Sequence, residues 1–333
     1  MTEAMVLLIA LLVLPVVLLF SFAGCTGEDP ELTAAKEAKE KAEAEVIRIQ
    51  EEAKKQAEAA KFFNVVMGTG TLVSYWRLSE LSTGGTTAKD SVPPANNPPH
   101  DGTYMNVPGI SLGEKGALEP IKHPDDKAAE FLGTQGYVQV DYDALRNPGG
   151  SFSVEVWMRP AGNETTPQVV IGSYELDPLG KVVRGFVLDM LRDQTPLRVR
   201  ARLGNGTGFS SIEANLGDGS EHDGWRHVVM TYSQAGKSLM LYVNADDGKP
   251  DAQQPGTTNS APVDYQAVPL GATTPLRIAA GQPEQVVAGG GAPVVAGPTY
   301  FFHGRLDEVA LYRDALPGTD VRKHWLSGIG APF

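Results

Sequence analysis

The sequence has little cysteine and no concentration of positive charge. Cys25 is its single cysteine, so internal disulfide bonds and metal clusters built from several cysteines are excluded. The formal net charge is −12, and no basic stripe is present of the kind that neutralises the phosphates of nucleic acids. The protein is therefore predicted not to bind nucleic acid, and its acidic character is compatible with divalent cations.

One long apolar run stands near the N-terminus. Residues 5–24 carry no charged side chain and are long enough to cross the ~30 Å hydrocarbon core of a bilayer as a helix. Met5, Leu12, Pro15 and Phe20 would lie in this membrane anchor, where a proline is tolerated. Membrane lipid is therefore a predicted partner.

The run ends in Phe22-Ala-Gly-Cys25, which resembles a bacterial lipobox whose cysteine is lipidated after cleavage. The preceding n-region, Met-Thr-Glu-Ala, lacks the Lys or Arg with which such signals normally begin. Two alternatives stay open for residues 1–25, namely a retained transmembrane helix and a lipoprotein-type signal cleaved at Cys25. The acidic flank that follows, Glu28, Asp29 and Glu31, predicts that the bulk of the chain lies in the periplasm or at the cell exterior.

Residues 26–63 are predicted to form a helical stalk. The part from 31 to 61 is rich in Ala, Glu, Lys and Gln and contains almost no helix breaker. Its apolar seam is mostly alanine, with Val46 and Ile49 as the bulky pair that would face a partner. The seam leaves three alternatives open: a solvated spacer, a helix docked on another protein subunit, and self-association.

Residues 64–333 are predicted to form a single β-domain, centred on a hairpin. In Trp225–Asn244, two runs of alternating apolar residues flank the polar turn Ser-Gln-Ala-Gly-Lys, a pattern typical of an antiparallel strand pair. About a dozen short strands without helical patterns between them predict an all-β, two-sheet antiparallel sandwich. The other predicted strands are 71–78, 136–140, 152–158, 169–174, 186–191, 197–203, 210–214, 276–280 and 301–312.

The connections between these strands are predicted to include long loops. Ser79–Ala117, Asn244–Pro269 and Gly281–Pro298 show no clear strand pattern. The segment Pro317–Trp325 is predicted to form a single closing helical turn, with Thr319 or Asp320 as its cap.

Several motifs occur in the order found in one known family. Their residues are Tyr75–Glu80, Asp101–Tyr104, Ala129–Val140, Phe152–Pro160, Trp225–Val229 with Leu241–Asn244, and Gly304–Tyr312. Together they resemble the laminin-G-like, concanavalin A-like jelly rolls, over roughly residues 71–328. The resemblance implies a jelly-roll sandwich preceded by the anchor and the stalk. Members of this family bind glycans, proteins or calcium, and others are structural, so the fold alone does not imply one function.

Candidate calcium ligands are aspartates at predicted strand ends and turns. Calcium requires several oxygen ligands. The candidates are Asp90, Asp101, Asp141, Asp143 and Asp307. The alternative interpretation is local turn chemistry, in which an Asp side chain accepts backbone hydrogen bonds. Calcium is the one cofactor that the sequence suggests.

The sequence shows no residue pattern typical of a catalytic site. A glycosidase needs two carboxylates flanking the scissile bond, and the Glu-x-Asp-x-Glu type of motif found in related glucanase jelly rolls does not occur. Asp307 and Glu308 are adjacent in a predicted strand, so their side chains are expected to point to opposite faces. The six histidines have no metal-ligand spacing, and Gly204–Gly208 is predicted to be a hairpin turn. The sequence therefore predicts a protein that is not an enzyme.

Two functional hypotheses remain. In the first, the protein is a membrane-anchored accessory or scaffold subunit that packs on other proteins of a membrane complex. In the second, it is a surface lectin-like module that binds glycans, with calcium as a potential requirement. Exposed aromatic side chains would favour the lectin, but Trp76, Trp157 and Trp225 are predicted to lie in the core, which leaves Trp325 as the candidate for exposure.

Overall fold

The computed structural model describes residues 30–59, 61–81, 85–93, 100–120, 123–141, 146–162, 164–177, 179–193, 195–217, 222–244, 262–269, 274–282, 285–286, 294–295 and 297–333. The predicted anchor with Met5, Leu12, Pro15 and Phe20 lies outside these residues, as does Cys25. Among the helices that are described, none is both long and apolar enough to span a membrane. The chain divides into two units, one that ends at Ala60 and one that comprises Lys61–Phe333.

The predicted long helix is confirmed as α1 (Pro30–Ala59). Its exposed surface carries local ion pairs, such as Lys39 with Glu43 at 3.7 Å, which add little stability. Val46 and Ile49 are half-buried on this helix. Their contact with a partner subunit stays a prediction.

The second unit contains two antiparallel sheets. The strands are β1 (Leu72–Trp76), β2 (Thr87–Ala88), β3 (Gly102–Met105), β4 (Ile110–Lys115), β5 (Lys127–Leu132), β6 (Tyr137–Val140), β7 (Phe152–Pro160), β8 (Gln168–Leu176), β9 (Val182–Leu191), β10 (Arg198–Gly204), β11 (Phe209–Asn215), β12 (Arg226–Ser233), β13 (Ser238–Val243), β14 (Leu276–Ile278), β15 (Gln285–Val286), β16 (Val294–Val295) and β17 (His303–Tyr312). The first sheet has the strand order β13-β12-β7-β17-β5-β4, with β1 paired to β17, and the second has the order β11-β10-β9-β8-β14-β6-β3-β2. A separate hairpin joins β15 to β16.

The first sheet is buried on both faces. Its inner face shares the main core with the second sheet, where Val154 and Met230 pack with Phe186. Its outer face is covered by two helices, α2 (Phe62–Met67) and α3 (Gly318–Gly328), which bury a second apolar cluster. The central strand β7 is therefore buried over most of its length, as expected for a strand with apolar groups on both sides.

The predicted sandwich is confirmed, and so is its central hairpin. Strands β12 and β13 pair in a register that sets Val228 opposite Val243 and Tyr232 opposite Leu239. The predicted turn Gly204–Gly208 joins β10 to β11, and the Asn205 side chain accepts hydrogen bonds from the backbone of Thr207 and Gly208.

Three local predictions are wrong. The segment Gly281–Pro298, predicted as a loop, contains the hairpin of β15 and β16, whose two-residue strands are too short to give a sequence pattern. The segment Ser79–Ala117 is not one long loop, because it contains β2, β3 and β4, whose short and glycine-containing runs gave no clear pattern. The closing segment forms 11 residues of helix instead of one turn, and neither Thr319 nor Asp320 is its cap. Pro317 is the N-cap residue, and the helix begins without a side-chain cap hydrogen bond.

The tryptophans belong to the packing of the sandwich. Trp76, Trp157 and Trp225 are buried as predicted. Trp325, the candidate for exposure, is also buried, because α3 stacks its ring on Trp157 with ring centroids 5.3 Å apart. No tryptophan of the described part of the chain therefore offers a platform for a sugar ring.

Candidate functional site

The structure does not bring the five predicted calcium ligands together. Asp90 and Asp101 are neighbours, since the backbone N–H of Asp90 donates to Asp101 Oδ1 at 2.9 Å. The Asp90 carboxylate itself accepts backbone hydrogen bonds, including one of 2.9 Å from Tyr75. This is the turn chemistry of the alternative interpretation. Asp141 is exposed at the end of β6, and Asp143 lies outside the described residues.

Asp307 instead belongs to a different group. Asp126, Asp307 and Glu308 each offer a carboxylate oxygen within 4.8 Å of the others, and we call these three residues the acidic cluster. In the described part of the chain, no other group of three such residues meets this spacing. Asp126 Oδ2 accepts from the Leu118 backbone N–H at 2.9 Å, and Asp307 Oδ2 accepts from Ala117 at 2.8 Å.

A bulge in β17 creates the cluster. The pairing of β17 with β7 shifts register between Asp307 and Ala310, and Glu308 has a φ of 52°. A residue in this left-handed conformation interrupts the alternation of side chains along a strand. The prediction that Asp307 and Glu308 point to opposite faces is therefore wrong, and both lie in one buried group.

Arg77 is the described cation in contact with the acidic cluster. Its guanidinium donates to Glu308 Oε1 at 2.8 Å and to Asp126 Oδ1 at 3.2 Å, and it also lies over the Phe63 ring. Burial raises the pKa of Asp307 well above its ordinary value, and the neighbouring Asp126 adds to the rise. Burial likewise raises the pKa of Glu308. The cluster therefore has a strong tendency to take up positive charge, as protons or as a cation.

Asp126 and Glu308 belong to the acidic cluster, but the sequence alone did not identify them as site residues. Asp126 precedes β5, a strand recognised only through the family motif, and nothing in the local pattern distinguishes it from Asp125. Adjacent acids in a strand normally diverge, so Glu308 becomes a candidate only when the bulge is known.

A second feature is a cavity at the rim of the sandwich, which we call the rim pocket. Its volume is about 380 Å³. The first sheet contributes four charged side chains, while Leu197 precedes β10 and Leu216 follows β11 of the second sheet. The charged residues are Glu130, Arg159, Arg226 and Arg305. This volume lies at the lower end of the range for sites that bind small molecules.

Two arginines of the rim pocket face each other across neighbouring strands. Arg305 in β17 is the register partner of Arg159 in β7. Like charges directly opposite one another destabilise a sheet, so this pairing needs compensation. Arg305 forms an ion pair with Glu114 at 2.8 Å and lies 3.6 Å from Glu130. A row of two guanidiniums and one carboxylate, Arg159, Arg305 and Glu130, therefore runs across three strands at this end of the sheet.

A strained turn positions Arg159. The backbone of His222, Asp223 and Gly224 has three successive positive φ values of 48°, 54° and 83°. The turn presents the Asp223 carbonyl oxygen to Arg159 Nε at 2.6 Å. A Cβ at Gly224 would lie 3.2 Å from that nitrogen, so a side chain there would crowd the guanidinium. Non-glycine residues in this conformation cost about 1–3 kcal/mol each and are concentrated at functional sites.

The fold is a two-sheet β-sandwich with a pocket at its rim. The family described as the concanavalin A-like lectin/glucanases superfamily, of laminin G type, matches residues 132–322. Because the match covers more than half of the 333 residues, the protein belongs to this family. A search with the sequence among curated proteins finds no match.

Solved structures with a similar fold are distant in sequence. The ligand-binding domain of botulinum neurotoxin serotype D, in complex with N-acetylneuraminic acid, is 10% identical with a TM-score of 0.50 and covers 78% of this chain and 52% of its own. The binding domain of paraclostridial mosquitocidal protein 1 is 17% identical, with a TM-score of 0.46 and coverage of 77% and 52%. Trypanosoma rangeli sialidase with the inhibitor DANA is 15% identical, with a TM-score of 0.44 and coverage of 77% and 32%. This chain spans about half the length of the toxin chains, and at such identities the likeness concerns the fold alone.

Proposed function

We propose that the protein is a non-catalytic, lectin-like module that binds a saccharide in the rim pocket. The observation that carries this proposal is the row of Arg159, Arg305 and Glu130 across three strands, beside a cavity of about 380 Å³. Guanidinium and carboxylate groups supply the planar, paired hydrogen bonds that sugar hydroxyl and carboxylate groups can complete. The family description, which names lectins, supports the same function.

The arrangement of acids supports binding without hydrolysis. Glycosidases place two carboxylates on either side of the scissile bond. Among the described residues that line the rim pocket, Glu130 is the one carboxylate. The acidic cluster has several carboxylates, but Asp307 and Glu308 are fully buried and cannot contact a glycan.

The charge of the pocket lining predicts a preference among saccharides. Three of its four charged side chains are guanidiniums, which bind carboxylates well. We therefore expect a saccharide that carries a carboxylate, such as a uronic acid or a sialic acid, to bind more tightly than its neutral counterpart.

A glycan array probed with the full chain in mild detergent tests the proposal. The wild type is compared with Arg159→Gln, which removes a pocket guanidinium, and with Arg184→Gln as a matched control. Arg184 is also half-exposed and paired with one acid, Glu175, but it lies in β9 of the other sheet. We expect Arg159→Gln to weaken binding at least tenfold, and Arg184→Gln to bind as the wild type does.

Absence of binding by the wild type to any saccharide on the array would overturn the function. Equal binding by the wild type and Arg159→Gln would overturn the placement of the site. Stoichiometric recovery with other membrane proteins, without saccharide binding, would instead support the scaffold function predicted from the sequence.

The attachment of the module to a membrane is part of the proposal. The uncharged run of residues 5–24 supports an N-terminal anchor, with the rest of the chain in the periplasm or at the cell exterior. Carbonate extraction of membranes followed by mass analysis of the N-terminus separates the alternatives. An intact Met1 in the membrane fraction supports a retained helix, a lipidated Cys25 supports the cleaved form, and full release by carbonate contradicts both.

A further inference from the structure

The Arg159 guanidinium, which the proposed function assigns to a ligand carboxylate, already has a carboxylate of the chain beside it. Arg159 Nη2 lies 3.6 Å from Asp223 Oδ1, which is close enough for an ion pair but too far for a hydrogen bond. The 2.6 Å hydrogen bond between the two residues is made by Arg159 Nε and the Asp223 backbone carbonyl instead. The terminal nitrogens of Arg159 therefore remain available to a carboxylate that approaches in the planar, paired geometry.

Asp223 has a second cationic partner at the end of β4. Lys115 Nζ donates to Asp223 Oδ2 at 3.1 Å. Lys115 and Asp223 line a second cavity of about 210 Å³, whereas Gly224, the next residue of the turn, lines the rim pocket. One oxygen of the Asp223 carboxylate is thus bound by Lys115 at the second cavity, and the other is the oxygen nearest to Arg159.

Both ion pairs of Asp223 are exposed. The side chains of Lys115, Asp223 and Arg159 are 61%, 57% and 36% exposed. Ion pairs in such positions are weak, because water competes for both partners. Asp223 is nevertheless ionised at neutral pH, since Lys115 and then Arg159 and Arg305 lower its pKa. The carboxylate is therefore a charged group that another anion can displace from Arg159 at little cost.

The backbone of the strained turn stays in place when this side chain moves. The turn of positive φ values at His222, Asp223 and Gly224 is closed by a 3.0 Å hydrogen bond from the Trp225 N–H to the His222 carbonyl oxygen. The Asp223 carbonyl oxygen can therefore keep Arg159 Nε in position while the carboxylate rotates towards Lys115. The backbone of Asp223 positions the guanidinium, and its side chain competes for it.

We propose that Asp223 is a specificity-determining residue of the rim pocket, whose carboxylate occupies the Arg159 guanidinium until a ligand carboxylate displaces it onto Lys115. Asp223 thereby reduces the margin by which the pocket prefers a carboxylated saccharide to its neutral counterpart, because the charged ligand must replace a resident anion. This inference rests on the proposed function of the rim pocket and adds the residue that adjusts its selectivity.

Calorimetry with methyl glucuronide and methyl glucoside tests the competition, since the two sugars differ in a carboxylate and a hydroxymethyl group. The full chain in mild detergent is compared with Asp223→Asn, which keeps a residue that tolerates positive φ. We expect the variant to bind the glucuronide about fivefold more tightly than the wild type does, and the glucoside equally well. Asp264→Asn, at an exposed ion pair with Lys237, removes the same charge elsewhere and should change neither affinity.

The sign of the change separates competition from positioning. If the Asp223 carboxylate served to hold Arg159, Asp223→Asn would weaken glucuronide binding, and weaker or unchanged binding overturns the proposal. Lys115→Gln should weaken glucuronide binding in the wild type, because Asp223 then stays on Arg159, and should have no effect in the Asp223→Asn background. An equal loss in both backgrounds would show that Lys115 acts on the ligand itself and would overturn the sharing of Asp223.

The reaction of Arg159 with phenylglyoxal tests the contact without a saccharide, because a guanidinium beside a carboxylate loses its proton less readily. We expect Asp223→Asn to raise the rate at Arg159 about threefold, by mass spectrometry of the digested chain. The rate at Arg184, whose side chain is 39% exposed, should not change. A raised rate without binding of either sugar would overturn the function of the pocket and support the contact. An unchanged rate with glucuronide binding intact would overturn this inference and leave the function standing.

Discussion

Two groups of buried carboxylates lie on the outer face of the first sheet, and they differ in how their charge is compensated. One is Glu155 in β7, and the other is the acidic cluster around Asp307 in β17. Glu155 lies two residues from Trp157 on the same strand face, and Trp157 is the register partner of Asp307. The two groups are therefore neighbours in the same layer.

Glu155 is surrounded by donors. His227 Nε2 lies 2.6 Å from one of its oxygens and His324 Nδ1 lies 2.9 Å from the other, which also accepts from the hydroxyl of Tyr312. Burial raises the pKa of Glu155, but the charge and hydrogen bonds of His324 and His227 outweigh burial, and the pKa falls far below its ordinary value. This carboxylate is therefore ionised in the folded protein.

The positive charge in this group is assigned to His324. Its Nε2 lies 3.1 Å from Thr69 Oγ1, and the Thr69 hydroxyl already donates to the Val65 carbonyl oxygen. The threonine oxygen must then accept from Nε2–H, while Nδ1–H donates to Glu155, so the ring carries both protons. Burial lowers the pKa of His227, which is consistent with a neutral ring there.

The comparison separates two ways to bury a carboxylate. Glu155 forms a neutral group from the side chains of the chain itself, so it can contribute to stability at neutral pH. The acidic cluster has one arginine for three carboxylates. Burial raises the pKa of Asp307 and Glu308, so protons reduce its negative charge. The first group holds the helices on the sheet through an internal ion pair, whereas the second disfavours ionisation of its carboxyl groups.

The largest expected effect on stability comes from truncating Phe62, a buried ring that packs against the histidines around Glu155. Phe62 in α2 packs edge-on against Trp157, His227 and His324, with ring centroids 6.0–6.4 Å apart. We expect Phe62→Ala to lower the free energy of unfolding by about 4 kcal/mol, because it leaves a cavity and admits water to the buried pair. Urea denaturation measures this loss. Phe333→Ala, at a half-exposed phenylalanine, is the control, and an equal loss in both variants would contradict the buried role of Phe62.

The next largest expected effect on stability comes from neutralising the Glu155 carboxylate. Glu155→Gln keeps the shape of the side chain but leaves the His324 charge buried without its counter-charge. We expect a loss of about 3 kcal/mol in the free energy of unfolding. Glu175→Gln, which breaks a partly exposed pair with Arg184, should cost about 0.5 kcal/mol or less. A cost as small for Glu155→Gln would show that Glu155 is not paired with a charged histidine.

The two groups should respond to pH in opposite directions. A lowered carboxyl pKa gives stability above its ordinary value near 4.5 that is lost as pH falls, so the cost of Glu155→Gln should shrink below that pH. A raised pKa destabilises the folded state as pH rises, so the stability of Glu308→Gln relative to the wild type should grow above pH 4.5. Parallel pH profiles of the two variants, measured by urea denaturation, would contradict the comparison.

The smallest effect is a stabilisation. At neutral pH, Glu308→Gln replaces a carboxyl group whose ionisation is disfavoured by burial. We expect the variant to gain about 1 kcal/mol in the free energy of unfolding relative to the wild type. A loss of stability would mean that the Glu308 carboxylate is fully compensated by Arg77, and that its ionisation carries no cost in the folded protein.

The sequence predicted the sandwich well because its evidence is local. Alternating runs such as those of β12 and β13 show which residues face the core, and the ordered family motifs add the two-sheet arrangement. Helix α1 was equally predictable from the sequence, since composition alone indicates a long helix.

The candidate sites depend on a bulge and on strand register, which the residue pattern of a single strand does not show. The acidic cluster requires a bulge at Glu308 and a contact with Asp126, which is 181 positions away from Asp307 in the sequence. The rim pocket requires the register that sets Arg159 opposite Arg305. Neither bulges nor register follow from the residue pattern of one strand, so neither site could be predicted.

The comparison is tested most directly by urea denaturation of three proteins, the wild type, Glu155→Gln and Glu308→Gln, each at pH 3.5 and at pH 7. We expect Glu155→Gln to be about 3 kcal/mol less stable than the wild type at pH 7 and closer to it at pH 3.5, because the pKa of Glu155 is lowered. Glu308→Gln should gain stability relative to the wild type as the pH rises, because burial raises the pKa of Glu308. A cost of Glu155→Gln that is the same at both pH values, or a loss of stability in Glu308→Gln that grows with pH, would contradict the account.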